Sequence, residues 1–284
     1  MRGVAILRGA IKKVLAGATK LWGLTYDSNP ILMYHSVHPK HPLAVTPQAF
    51  REQIAFFREK FRVVSLREYL QAKRENRLLP GTGAVTFDDG YRDNYSFAYP
   101  ILREYSCPAT IFICSGFLEA PDYRAFSRQA GLYPHLPPLT WGEVEEMQPL
   151  IELGAHTHSH VQISALKGDV LRRELGTNIA IIAQRTGTKP TILAYPWGQD
   201  DDFIRPGCGI VAEYFQGAVT TNFAARNDSG KVSPYGLRRL PVGPGDDRDF
   251  FAAKTTGALD FIGSLRKIYR RRGDVGERNT ISQL

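Results

Sequence analysis

The stretch Gly83-Ala84-Val85-Thr86-Phe87-Asp88-Asp89-Gly90 ends a short apolar run with two adjacent carboxylates and a glycine. The run is β-branched and aromatic, and Pro80-Gly81 precedes it, so the pattern predicts a buried strand that ends at the aspartates. Because successive residues of an extended chain point to opposite sides, one aspartate can bind a cation while the other moves a proton. The segment therefore predicts a strand that delivers two carboxylates to the end of a sheet.

A second apolar run, residues 150–155, leads into His156-Thr157-His158-Ser159-His160, which holds three of the seven histidines of the chain. Imidazole and carboxylate together suit zinc or a similar divalent ion, and three protein ligands would leave a position open for water. A structural role is the alternative, because paired aspartates beside glycine are common in turns and at helix caps. Both motifs end strands, and Tyr195-Pro196-Trp197-Gly198 ends another, which favours a functional site.

Strand-like apolar runs alternate with helical patterns along the chain. This order argues for a parallel sheet or barrel, and 284 residues are enough for one large α/β domain. Residues 116–139, rich in Pro, Gly and Tyr, are predicted as a long loop over the site. The other predicted strands lie at 31–34, 84–87, 109–114 and 191–194. Helices are predicted at 47–61, 94–105 and 169–185, and a short helix begins after Thr140. Thr46 is the expected cap of the first helix, and Thr140 opens the short helix with a capping box.

Three motifs of the chain resemble those of a known family. Thr-Phe-Asp-Asp-Gly-Tyr at 86–91, Gly-Ala-His-Thr-His-Ser-His at 154–160 and Tyr-Pro-Trp-Gly at 195–198 are similar to the first three motifs of the polysaccharide deacetylases with a NodB-homology domain, also called carbohydrate esterase family 4. The resemblance spans roughly 30–242 and implies a distorted (β/α)7 barrel that hydrolyses an acetyl group from a sugar. We therefore expect a basic amphipathic helix over 1–27, a catalytic domain over 28–263 and a basic tail over 264–284.

The resemblance also implies residue roles. Asp88 is expected to be the general base, and the backbone N–H of Trp197 to stabilise the oxyanion. Thr157 would support the histidine loop, or it is a solvated hydroxyl. Spacing alone leaves a pairing of His156 with His158 open. The expected ligands of Zn²⁺ or another divalent transition metal are Asp89, His156 and His160.

The chain departs from the commonest family pattern in two respects. Ala194 stands where the third motif usually begins with an arginine that pairs with the base, and no histidine follows His160 to supply the acid. Two other segments resemble motifs of the subgroup that includes the poly-β-1,6-N-acetylglucosamine deacetylases. One is the early Tyr-His motif at 31–35, and the other is the late arginine motif at 237–242.

These two segments supply candidates for the missing groups. We expect His35 to be the general acid, and Arg239 to hold Asp88 ionised and oriented. A strand-end histidine satisfied by backbone is the alternative for His35. Arg238 competes with Arg239, since side chains alternate along a strand and only one of the two can face the barrel interior.

The charge lies in the two ends of the chain. Residues 1–26 carry a net charge of +5 and residues 264–284 carry +4, so about −1 of the total of +8 belongs to the rest. Nucleic-acid binding by the barrel is therefore disfavoured. Apolar residues at helical spacing in 1–26 suit either peripheral contact with an anionic membrane or packing on the barrel. Three cysteines and no signal-peptide core favour a cytoplasmic location, with possible association with a membrane.

The sequence thus favours a zinc-dependent hydrolase of the carbohydrate deacetylase type. Its expected substrate is an acetylated sugar, most simply an N-acetyl amino sugar, of a bacterial-type surface polysaccharide, glycolipid or precursor. One alternative is a glycan-binding module that keeps the fold without turnover. An amidohydrolase-type barrel that uses His156 and His158 fits less well, because its His-x-His motif belongs to the first strand.

Overall fold

The computed structural model describes residues 25–199, 207–228 and 230–263. The proposed N-terminal helix and C-terminal tail lie outside these residues, apart from a few flanking positions. Strands and helices alternate in chain order. The strands are β1 (Ile31–Tyr34), β2 (Arg62–Val63), β3 (Thr82–Phe87), β4 (Ala109–Ile113), β5 (Ile151–Ala155), β6 (Ile192–Ala194), β7 (Gly217–Phe223) and β8 (Leu237–Pro241). The α-helices are α1 (Pro47–Lys60), α2 (Leu66–Arg74), α3 (Tyr99–Glu104), α4 (Ser115–Glu119), α5 (Tyr123–Ala130), α6 (Trp141–Met147), α7 (Gly168–Thr186), α8 (Gly207–Tyr214) and α9 (Arg248–Thr255).

Seven parallel strands close into a barrel. The ring runs β1-β8-β7-β6-β5-β4-β3 and closes because β1 pairs with both β8 and β3. The two-residue strand β2 lies outside the ring and pairs with the start of β3. The barrel is irregular at β6, which pairs with β5 through a single residue pair, and between β7 and β8, where the register shifts. The predicted distorted (β/α)7 barrel is confirmed.

Alternation along the strands divides the core into layers. In β3, Val85 and Phe87 pack with the helices in the largest core cluster, whereas Ala84 belongs to a smaller cluster with Phe112 and Leu237. Because side chains alternate along a strand, the smaller cluster fills the barrel interior. Helix α2 lies across the amino-terminal end of the barrel. Its Arg67 donates to Glu152 near the start of β5, and its Arg74 donates to the carbonyl of Gln216, the residue before β7. The opposite end, at the carboxyl ends of the strands, carries the predicted motifs.

Local sequence signals explain most element boundaries. Thr46 caps α1, and Thr140 forms the predicted capping box with Glu143 at the start of α6. The predicted helix at 94–105 begins instead as a π-helix, Asn94–Ala98, before α3. Among the described residues, no helix is both long enough and apolar enough to cross a bilayer.

The prediction of a long loop at 116–139 was wrong in part. This segment contains most of α4 and all of α5. Asp122 caps α5 by accepting the N–H groups of Arg124 and Ala125, and Gly131 ends the helix with a φ of 74°. An N-cap aspartate followed nine residues later by a glycine is a helix signal. The prediction missed this signal because the segments on either side of α5 are rich in Pro, Gly and Tyr, which is typical of loops.

Candidate active site

The predicted site residues converge at the carboxyl ends of the strands, where barrel enzymes hold their active sites. His35 directly follows β1, Asp88 and Asp89 follow β3, and His156 follows β5. Their convergence follows from the parallel pairing of β1, β3, β4 and β5, which brings these strand ends to one rim.

Asp89, His156 and His160 form a buried cluster. One ligand atom from each lies within 4.8 Å of the others. The Nε2 atoms of His156 and His160 lie 3.3 and 3.4 Å from Asp89 Oδ1. Among the described residues, this buried oxygen has no hydrogen-bond partner. A buried carboxylate oxygen without a donor, faced by two imidazole nitrogens, fits a divalent cation held by one oxygen and two nitrogens.

The second nitrogen of each imidazole has a fixed partner. His156 Nδ1 lies 2.8 Å from the carbonyl oxygen of Ala194, and His160 Nδ1 lies 2.7 Å from that of Ala130. A carbonyl only accepts, so both Nδ1 atoms carry the proton. In the neutral rings the Nε2 lone pairs then face Asp89, which is the tautomer that a metal-binding histidine requires.

The electrostatics of the cluster favour an ionised carboxylate. Burial would raise the pKa of Asp89, but His156 and His160 outweigh it and hold the pKa well below the usual range. Burial lowers the pKa of His160, whereas Asp89 and Asp88 raise the pKa of His156 against the effect of burial. Protons and a metal ion would compete for the same Nε2 atoms, so the site favours metal as the pH rises.

The second aspartate, Asp88, is bound by Arg239. The guanidinium donates from Nη1 to Oδ1 at 2.6 Å and from Nη2 to Oδ2 at 2.7 Å, which is a bidentate pair. Arg239 is fully buried and also donates to the carbonyl of Thr220 and the hydroxyl of Thr86. Burial raises the pKa of Asp88, but Arg239 and His156 outweigh that effect and keep the pKa below its ordinary value. Asp88 is therefore an oriented carboxylate whose ionised form Arg239 stabilises.

Arg238 faces away from Asp88. It is half-buried, and its backbone N–H donates to Asn227 at 2.9 Å. Leu237 lies in the interior cluster and Leu240 in the outer one, so alternation turns Arg239 inward. The structure thus brings Arg239, rather than Arg238, to the carboxylate.

The loops of the site hold non-glycine residues in left-handed backbone conformations. Asp89 has a φ of 74°, Thr157 of 62°, His160 of 54° and Trp197 of 63°. Such conformations are unfavourable for residues other than glycine, most of all for a β-branched threonine. The surrounding contacts must hold them, and their clustering at one rim marks it as the functional end of the barrel.

The histidine loop is held by a residue that the sequence did not reveal. Asn178 of α7 is fully buried, and its Nδ2 donates to the carbonyls of Ile113 and Thr157 and to the hydroxyl of Ser115. Thr157 Oγ1 accepts the N–H of Val161 at 3.3 Å, so its hydroxyl also supports the loop. An asparagine within a long amphipathic helix has no sequence signature of such a role.

His158 points away from the cluster. Its Nδ1 lies 3.0 Å from the hydroxyl of Ser115, and its carbonyl accepts the N–H of Gly116. The pairing of His156 with His158 is therefore not the one that the structure brings together.

Trp197 lies on the rim with 53% of its surface exposed, and its ring is 5.5 Å from that of His160.

His35 is half-buried beside the two aspartates. It interacts electrostatically with both Asp88 and Asp89. Asp88 donates its backbone N–H to the carbonyl of Tyr34 at 3.0 Å, which places the base next to the residue that precedes His35. Asp88, His35 and the cluster of Asp89, His156 and His160 therefore lie together at one rim of the barrel.

Comparisons with known proteins show what the chain is similar to. The family model for polysaccharide deacetylases matches residues 77–206. The Bacillus subtilis protein YxkH is 28% identical over 227 residues, which cover 79% of this chain and 75% of YxkH. The poly-β-1,6-N-acetyl-D-glucosamine N-deacetylase of Escherichia coli is 33% identical over 128 residues, which cover 43% of this chain and only 19% of that enzyme. The solved deacetylase PplD of Streptococcus pyogenes superposes with a TM-score of 0.69 at 24% identity, covering 81% of this chain and 99% of PplD, and shows the shared fold.

The predicted resemblance to the polysaccharide deacetylases is thus confirmed over residues 77–206. The motifs that follow β3, β5 and β6 lie inside the matched residues 77–206. His35 and Arg239 lie outside them, so the match to the family model does not bear on these two residues.

Proposed function

We propose that the chain is a metal-dependent carbohydrate deacetylase that removes the acetyl group of an N-acetylated amino sugar. The observation that carries the proposal is the pairing of an unsatisfied buried Asp89 oxygen with two imidazoles, beside an Asp88 that Arg239 holds ionised. A glycan-binding module would gain nothing from an oriented base next to a metal-binding cluster. The name of the Escherichia coli relative supports poly-β-1,6-N-acetylglucosamine, or a precursor of similar chemistry, as the substrate.

Asp89, His156 and His160 would hold Zn²⁺ or another divalent transition metal. Such an ion polarises a carbonyl oxygen and lowers the pKa of a bound water toward about 7. The fixed Nδ1 partners of the two histidines keep both Nε2 atoms available for it.

The residues of the chain would carry the proton transfers. Asp88 accepts a proton from the attacking water, whose oxygen adds to the acetyl carbon, and Arg239 keeps the carboxylate oriented. The backbone N–H of Trp197 donates to the oxyanion. His35 then donates a proton to the sugar nitrogen as the carbon–nitrogen bond breaks, which releases acetate and a free amine.

Metal content measured by mass spectrometry tests the ligand set without a substrate. We expect near-stoichiometric metal in the wild type, its loss in Asp89→Ala and His160→Ala, and its retention in His158→Ala. His158→Ala is the matched control because this histidine lies in the same loop but bonds Ser115. A wild type that stays metal-free after loading would contradict the proposal, as would equal losses in the His158 and His160 variants.

Acetate release from β-1,6-linked N-acetylglucosamine oligosaccharides tests the activity. Asp88→Asn should keep its metal and lose turnover by about 10²–10⁴-fold, because it removes the base but none of the ligands. If Asp88→Asn retained full turnover, Asp88 would not be the base. If no acetylated sugar released acetate from metal-loaded wild type, a binding module would be the better reading.

A further inference from the structure

The segment that carries His35 is tied to the loop after β3 at three successive residues. Asn94 Nδ2 donates to the carbonyl of His35 at 2.9 Å. The hydroxyl of Ser36 donates to Asp93 Oδ2, and the backbone N–H of Val37 donates to the same carboxylate. Asn94 also donates to Asp93 Oδ1 at 3.1 Å, which joins the contacts into one network.

This network is buried and, within the part of the chain that the structure describes, lacks a counter-charge. Asp93 is 6% exposed, Asn94 1% and Ser36 3%. No lysine, arginine or histidine of the described residues forms an ion pair with Asp93. Burial raises the pKa of Asp93 to about 7, although Ser36 and Val37 oppose the shift. An uncompensated buried carboxylate is unfavourable, so it reduces the stability that the same loop would have with an apolar residue.

The network has a direct relation to the site. The segment 88–94, which runs from Asp88 to the start of the π-helix at Asn94, supplies both Asp93 and Asn94. Its first residue donates to the carbonyl of Tyr34, and its later residues bind positions 35–37. The same segment therefore fixes the base and the acid candidate to each other. It contacts the residue before His35 and the three residues 35–37.

We propose that Asp93 and Asn94 are positioning residues that hold His35 where it can protonate the leaving nitrogen. This inference rests on the proposed function and assigns a role to two residues that do not themselves touch the reacting atoms. Misplacement of a catalytic group by about 1 Å can cost about 10²-fold in rate. A network with three hydrogen bonds to residues 35–37 and one between Asn94 and Asp93 is suited to prevent it.

The dependence on the leaving group separates this role from general stabilisation. An amide substrate needs a proton on its leaving nitrogen, whereas 4-nitrophenyl acetate releases a phenolate that needs none. His35→Ala should slow release of acetate from an N-acetylglucosamine oligosaccharide by about 10²–10⁴-fold, with a much smaller effect on the ester. Asp93→Ala and Asn94→Ala should show the same selectivity at about 10–100-fold on the amide.

Three further variants sharpen the test. Asp93→Asn keeps a carbonyl oxygen that can accept from Ser36 and should recover most of the amide activity. Asp169→Asn is the matched control, because this carboxylate lies on the surface of α7 with 87% of its side chain exposed. In a His35→Ala background, Asp93→Ala should cause no further loss on the amide, since coupled residues are not additive.

The outcomes distinguish the two proposals. Selectivity in His35→Ala together with selectivity in Asp93→Ala supports the inference. Selectivity in His35→Ala but equal losses on both substrates in Asp93→Ala and Asn94→Ala would overturn it and leave the proposed function intact. No selectivity in His35→Ala would overturn the acid role of His35, and the inference with it. Metal content measured on every variant confirms that the site has folded.

Discussion

Replacement of Arg239 by alanine should reveal how strongly the site depends on one buried cation. The guanidinium makes two bonds to Asp88 and one each to Thr220 and Thr86, and its carbon lies 5.6 Å from the Phe112 ring centroid. Removing one partner of a buried ion pair leaves the other charge uncompensated and costs about 3–5 kcal/mol. At roughly 2–4 °C per kcal/mol, the melting temperature should fall by about 6–20 °C.

The pH dependence adds an independent readout. In the wild type the pKa of Asp88 lies below its ordinary value, so its contribution to stability is present above the unfolded pKa of about 3.9 and is lost as pH falls through the folded pKa. Without Arg239, burial raises the pKa of Asp88. The acidic limb of the activity profile should then move to higher pH, and Arg239→Lys should move it less because the positive charge remains.

Thermal unfolding and pH–rate profiles of Arg239→Ala and Arg238→Ala test this reasoning. Arg238→Ala is the matched control, because it removes the same group from the neighbouring residue on the outer side of β8. Its melting temperature and acidic limb should stay close to those of the wild type. A larger loss of turnover in Arg238→Ala than in Arg239→Ala, or an unchanged acidic limb in Arg239→Ala, would refute the assignment.

Two further predictions concern packing and capping. Gly154→Ala should lower the free energy of unfolding by about 1–3 kcal/mol, because its Cβ would lie 2.3 Å from the Phe112 ring. Gly176→Ala lies in open space on α7 and should raise the free energy of unfolding by about 0.5–1 kcal/mol. Chemical denaturation of both variants checks the difference in sign. Thr140→Ala should lower the free energy of unfolding by about 0.5–2 kcal/mol through loss of the capping box, and a change below 0.2 kcal/mol in the same measurement would contradict the importance of that cap.

Much of the fold could be predicted because its signals are local. Short apolar runs of β-branched and aromatic residues correspond to β1, β3, β4, β5 and β6. The alternation of strands and helices is sufficient for a parallel architecture, but closure into a ring depends on the long-range pairing of β1 with β8. The family resemblance supplied that step. Strand β2 is two residues long and has no comparably clear local signal. Helix α2 does have one, because Ser65 caps it and Glu68 follows three residues later, but the prediction missed it.

The site could be predicted where chemistry follows directly from residue type. The paired aspartates and the histidine cluster are recognisable in sequence, and the structure brings Asp89, His156 and His160 together. The groups that hold these side chains in place are not recognisable in the sequence. The acceptors for the two histidines are backbone carbonyls of Ala130 and Ala194, whose side chains carry no information about that role. The sequence also does not reveal the role of Asp93, because an aspartate after a tight turn is common and only the structure shows that this one is buried.

The two buried aspartates differ in how their charges are balanced. Asp88 has a permanent cation in Arg239, with both carboxylate oxygens engaged at 2.6 and 2.7 Å. Among the described residues, Asp89 forms no ion pair with a lysine or arginine; two imidazoles face its Oδ1, which accepts no hydrogen bond from these residues. A buried carboxylate without a full counter-charge is unfavourable, so Asp89 gains most from a cation that comes from outside the chain. In the proposed function, one carboxylate would therefore be held for proton transfer and the other would be left for a metal ion.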